Sequence, residues 1–132
     1  EAKESGAESV TCWGTGSPMR EFLHVDDLGE ACIFVLENWK PDKDEISFLN
    51  VGTGVDLSIR NLAEQIASLV GFQGQIIWDE TKPDGTPRKQ LDVGRLRKIG
   101  WSATIELKEG LSSTINLFRD QVNKDRTTIR SI

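Results

Sequence analysis

The sequence predicts an α/β domain. Short β-branched or aromatic runs alternate with amphipathic stretches at three- and four-residue spacing, and Gly/Pro-shaped turns separate them. No internal repeat or low-complexity tract interrupts that pattern. At 132 residues and 37% hydrophobic, the chain is long enough for one compact core. A domain of this size buries roughly 65–70% of the surface its unfolded chain exposes. A charged fraction of 28% is ordinary for a globular protein.

The elements follow in order. Residues 1–9 are polar and aperiodic. Val10-Thr11-Cys12-Trp13 reads as a strand that feeds the turn Gly14-Thr15-Gly16-Ser17-Pro18, and Phe22-Leu23-His24-Val25 as a second extended piece. Val25, Leu28, Cys32, Val35, Leu36 and Trp39 then recur with helical spacing. Asp26 and Asp27 suit the first turn of that helix, and Pro41 prevents its extension. Residues 42–45 form a solvated loop, and residues 46–51 a strand stopped by Gly52-Thr53-Gly54. Ser58 caps a helix with Ile59, Leu62, Ala63, Ile66, Ala67 and Val70 on its apolar face, and Gly71 ends it. Residues 75–79 are a strand, 81–89 a long loop, and 92–99 a short helix begun by Asp92 and ended by Gly100. A last helix carries Leu107, Leu111, Ile115, Phe118 and Val122 on one stripe. The chain therefore divides into a domain over 1–122 and a polar tail over 123–132.

A net charge of −5 argues against a general nucleic-acid or membrane-surface role, while leaving room for a local basic site. No apolar run approaches the roughly 20 residues a bilayer span needs, and the polar start Glu1-Ala2-Lys3-Glu4 predicts no secretory leader. Cys12 and Cys32 lack metal or disulfide spacing. Cys32 falls on an apolar helical face, so a buried, reduced thiol and a cytoplasmic setting are expected.

Two turns carry the chemistry. Trp13-Gly14-Thr15-Gly16-Ser17-Pro18-Met19-Arg20 and Lys82-Pro83-Asp84-Gly85-Thr86-Pro87-Arg88-Lys89 each use Gly and Pro to fix a backbone that ends in cations. That arrangement suits an anion or phosphate ligand. Trp13 either stacks on a flat ligand or serves as a core or lid residue. Arg20 either binds the ligand or pairs with Glu21 or Asp26. Neither Gly14-Thr15-Gly16 nor Gly52-Thr53-Gly54 completes a dinucleotide fingerprint, because Met19 and Leu57 occupy the third glycine position. His24, the one histidine, reads as a structural group in the turn before the helix rather than as part of a nucleophile system with Cys12 and Asp26. A metal site is not expected.

The run from Trp13 to Asp27 closely resembles the segment that opens the C-terminal half of the bacterial GDP-L-fucose synthases. These are NADP-dependent epimerase-reductases of the extended short-chain dehydrogenase/reductase type, within the NAD-dependent epimerase/dehydratase family. Asn50-Val51-Gly52-Thr53-Gly54-Val55-Asp56, the loop Lys82 to Lys89, Arg95-Leu96 with Ile99-Gly100-Trp101, and Leu107 with Gly110-Leu111 continue the resemblance in the same order. Arg-Glu-Phe-x-His-Val-x-Asp is shared widely among nucleotide-sugar epimerases and dehydratases. The Lys82 to Lys89 loop points to the GDP-fucose branch.

The resemblance implies the C-terminal substrate-binding portion of an extended reductase, lacking the N-terminal Rossmann core. It implies a GDP-sugar ligand contacted by Trp13 and Arg20, with Asp84 on the facing loop. On electrostatic grounds, Arg88 and Lys89 of that loop are expected within reach of the diphosphate. The family's Tyr-x-x-x-Lys pair and Gly-rich NADP loop have no counterpart here, and the chain contains no tyrosine. No catalytic residue, metal or bound cofactor is therefore assigned to the chain alone, and it is expected to be inactive by itself, NADP(H) serving the parent family. The helix over residues 25–39 is expected to be covered by a Rossmann domain or by self-association. The alternatives are a free-standing, non-catalytic nucleotide-sugar-binding or assembly module, and an enzyme of another epimerase or dehydratase branch.

Overall fold

The structure is a computed structural model that describes residues 1–41 and 47–130. Its elements run α1 (Ala2–Ser5), β1 (Ser9–Trp13), β2 (Met19–Glu21), α2 (Val25–Asn38), β3 (Asp56–Ser58), α3 (Ile59–Val70), β4 (Gln75–Asp79), β5 (Arg88–Lys89), α4 (Gly94–Lys98) and α5 (Leu107–Arg130). This is an α/β arrangement with two small sheets. In one, β1 and β4 run parallel, with Ser9 opposite Gln75 and Trp13 opposite Asp79. In the other, β2 is central, antiparallel to β3 and parallel to β5.

Local chemistry accounts for most boundaries. Ser58 Oγ accepts the Asn61 N–H at 3.1 Å and starts α3. Gly71, left-handed at φ 75°, ends it by returning N–H groups to the last turn. His24 caps α2 through its ring, Nδ1 accepting the Asp26 N–H at 3.2 Å. Asp92 Oδ1 accepts the Gly94 N–H at 2.8 Å at the start of α4.

The core lies between α2, α4 and the segment after it. Ala31, Leu96 and Trp101 are buried together, with Leu23, Phe34, Val35, Leu49 and Val51 packed against them. On the other side, α3 packs against α5.

Several expectations change here. Cys32 is exposed, not buried, because the inward face of α2 is Asp27, Ala31, Phe34 and Val35. The face containing Val25, Leu28 and Leu36 is turned outward, at 71%, 44% and 85% exposure. Residues 47–51 are not a strand; they pack by Leu49 and Val51 without a ladder partner, and the strand in this region is β3. Ile46 and the loop at 42–45 lie outside the described residues. The second extended piece falls earlier than expected, at β2, where pairing with β3 and β5 selects it. Helix α5 continues through the expected tail to Arg130, and residues 131–132 are outside the description. No helix among the described residues is long and apolar enough to cross a membrane.

Candidate functional site

The two motif turns meet at the ends of β1 and β4. Gly14 N–H donates to Asp79 O at 3.0 Å, which extends the β1–β4 ladder into the turn. Asp84, from the facing loop, then closes on it. Its Oδ1 accepts the Thr15 N–H at 2.9 Å and its Oδ2 the Thr15 hydroxyl at 2.6 Å. These hydrogen bonds, the hydroxyl foremost, hold the Asp84 carboxyl below the ordinary carboxylate range.

The opposite side of the same turn is held by Arg60. Its Nη2 donates to Thr15 O at 2.5 Å and its N–H to Gly16 O at 2.8 Å, while its guanidinium lies 4.7 Å from the centre of the Trp78 ring. The Trp78 ring sits directly against Gly16, whose φ is 75°. A Cβ there would stand 2.7 Å from the ring.

Between these supports is a cleft of about 190 Å³ whose lining includes Trp13, Gly16, Pro18, Arg20, Pro83 and Asp84. Trp13 is 75% exposed, so it is not a core residue, and Lys82 Nζ stands 5.8 Å from its ring centre. Arg20 donates from Nη1 to Met19 O at 2.6 Å and forms no ion pair with Glu21 or Asp26. A second hollow of about 200 Å³ adjoins, lined by Arg20, Glu21, Leu23, Val51, Gly52, Lys89 and Leu91. Arg20 lines both, and Lys89 is its direct partner across the β2–β5 ladder. The Lys89 ammonium has no hydrogen bond or ion pair among the described residues.

Arg88 lies apart from both hollows. Its Nε and Nη2 grip Asp56 at 2.6 and 3.1 Å, and Nη2 also donates to Gln90 Oε1 at 2.8 Å. Hydrogen bonding to Asp56, and its charge, raise the Arg88 pKa above its ordinary value. Of the residues expected at the site, the structure therefore brings Trp13, Arg20, Asp84 and Lys89 together, and engages Arg88 elsewhere.

Sequence reasoning missed Thr15, Arg60 and Glu21. The Glu21 carboxylate accepts the Gly54 N–H at 2.7 Å, the Thr53 hydroxyl at 3.4 Å and the Leu91 N–H at 3.0 Å. Its one signal in the sequence is its place beside Arg20, where it reads only as an alternative ion-pair partner for that cation.

His24 has a structural role, as its setting in the turn suggested. Its Nδ1 accepts from the chain, and its Nε2 lies 3.3 Å from Ser113 Oγ. Among the described residues no group of three His, Cys, Asp or Glu side chains is placed to hold a metal. The turns also make a poor dinucleotide cradle, because Asp84 already takes the Thr15 N–H and Glu21 the Gly54 N–H.

The NAD dependent epimerase/dehydratase family profile matches residues 1–52. GDP-L-fucose synthase of Escherichia coli is 50% identical over 134 residues, covering 96% of this chain and 40% of that protein. GDP-L-fucose synthase 1 of Arabidopsis thaliana is 48% identical over 122 residues, covering 92% of this chain and 36% of its own length. The chain belongs to the NAD-dependent epimerase/dehydratase family. A solved GDP-mannoheptose C4 reductase from Campylobacter jejuni, with NADP bound, superposes at a TM-score of 0.74. It is 36% identical, over 85% of this chain and 35% of the reductase. The chain thus spans little more than a third of the length of these relatives.

Proposed function

We propose that this chain is the GDP-sugar-binding part of a GDP-L-fucose synthase. That enzyme epimerises GDP-4-keto-6-deoxy-D-mannose and reduces it with NADPH. The observation that carries the reading is the pairing of Arg20 with Lys89 across one ladder, beside an exposed Trp13. Two cations at one end and an aromatic face at the other match a diphosphate joined to a flat base. Asp84 shapes the cleft by tying the loops, and Arg88 supports it indirectly through Asp56. Free thiols at Cys12 and Cys32 fit a reducing, cytoplasmic compartment.

Calorimetric titration with GDP-L-fucose, against UDP-glucose as control, tests this. Selective binding is expected, with Lys89→Ala weakening it about tenfold or more, as loss of a charge-assisted hydrogen bond does. Arg88→Ala is expected to lower the melting temperature by leaving Asp56 unpaired opposite Glu21. Equal affinity for the two ligands, or none for either, refutes the proposal. The chain alone is expected to oxidise no NADPH with the keto-sugar, and measurable turnover would refute that part.

A further inference from the structure

The hollow beside Arg20 contains a carboxylate where an anion site should avoid one. Glu21 is adjacent to Arg20 in β2 and lines the same wall as Lys89. Its two oxygens divide between two segments. Oε1 takes the Gly54 N–H and the Thr53 hydroxyl, and Oε2 takes the Leu91 N–H two residues beyond Lys89. The approach is close on all sides, since a Cβ on Gly52 would collide with Glu21 Oε1. One carboxylate therefore fastens the Gly52-Thr53-Gly54 turn and the exit of β5 to β2.

We infer that Glu21 is a positioning residue for the anion site: by docking Leu91 and Gly54 it fixes Lys89 opposite Arg20 across the β2–β5 ladder, where the two cations can act on one diphosphate. The inference rests on the GDP-sugar reading above. β5 is only two residues long, Arg88–Lys89, so its ladder alone holds Lys89 weakly. The Leu91 hydrogen bond supplies the missing anchor. Donors from the backbone also draw the carboxylate away from Arg20, so the acid does not quench the cation it adjoins.

The sign of one substitution decides. If Glu21 acted only as a charge, Glu21→Gln would remove repulsion and tighten GDP binding. As a positioning residue, its loss loosens Lys89, because the amide nitrogen cannot accept from Leu91 or Gly54. We expect Glu21→Gln to weaken GDP about tenfold while guanosine, which lacks phosphate, binds as before. In a double-mutant cycle, Lys89→Ala should cost about tenfold in the wild type and under about threefold beside Glu21→Gln.

Glu21→Asp, which keeps the charge but shortens the reach, should behave like Glu21→Gln, and it decides the matter if the glutamine variant unfolds. Unchanged or tighter GDP binding in the variants, or additive losses in the cycle, overturns the role of Glu21 alone. A wild-type chain that ignores GDP refutes the GDP-sugar reading and this role with it.

Discussion

Asp27→Asn is predicted to have a large effect on stability. Asp27 is 1% exposed, in the first turn of α2, and reaches across to the segment that leads into α5. Its Oδ1 accepts the Thr104 N–H at 3.1 Å and the Thr104 hydroxyl at 3.0 Å, and its Oδ2 accepts the Ile105 N–H at 3.0 Å. Burial raises its pKa, but the hydrogen bonds from Ile105 and Thr104, helped by His24, together outweigh it and leave the carboxyl below its ordinary 3.8. Asp27→Asn keeps the shape but sets an NH₂ against one set of donors. One charge-assisted interaction becomes a donor–donor contact and the other weakens, for about 2–4 kcal/mol in total.

That is a large share of the roughly 5–15 kcal/mol that holds a domain of this kind. Urea unfolding at neutral pH, followed by the fluorescence of buried Trp101, should show the loss as a lower midpoint with an unchanged slope. The folded pKa is depressed, so the contribution is complete above the ordinary 3.8 and disappears as pH falls through the folded value. Wild type and Asp27→Asn should therefore converge in stability in acid. A variant within about 0.5 kcal/mol of wild type at neutral pH, the spread of ordinary surface changes, refutes this account of the clamp.

Gly16→Ala combines a left-handed φ of 75° with a 2.7 Å approach to the Trp78 ring, and should cost about 2–4 kcal/mol by urea unfolding. Gly29→Ala, in α2 with open space around it, should instead gain about 0.5–1 kcal/mol; equal effects at the two positions would discredit the steric argument. Leu36 is 85% exposed on the outward apolar face of α2, where burial of each large side chain is worth about 1.5–3 kcal/mol. The chain should self-associate through that face in sedimentation velocity, Leu36→Glu should shift it toward monomer, and a monomeric wild type at high concentration would refute this.

Local signals in the sequence were reliable where a neighbour decides the outcome. Ser58 and Gly71 act within a few residues of themselves, and each forms the cap or stop its type suggests. Val93 and not Asp92 takes the cap position of α4, Asp92 accepting the Gly94 N–H from one residue further out. Helical spacing found α2, but not which side of it faces inward. Buried Asp27 is the reason, since its three donors lie 77 and 78 residues away and draw a polar residue into the core side. The stretch 47–51 has the composition of a strand, yet a strand also needs a partner, and composition does not supply one. The site divides in the same way. Its cations were visible in the motifs, whereas the contact of Thr15 with Asp84 spans 69 residues and that of Glu21 with Leu91 spans 70. Such pairings depend on topology, and no linear spacing encodes them.

The basic character of the site in an acidic chain follows from those same pairings. Among the described residues, three carboxylates near the cleft are engaged: Asp84 by Thr15, Glu21 by Gly54 and Leu91, Asp56 by Arg88. Only Arg88 among the nearby cations is spent in doing so. Backbone and hydroxyl donors meet the other two acids, which leaves Arg20 and Lys89, partners across the β2–β5 ladder, without an ion pair among the described residues. A net charge of −5 therefore says little about the local field. What sets it is which acids are satisfied by neutral donors. That is also why removing an acid here is expected to weaken anion binding rather than strengthen it.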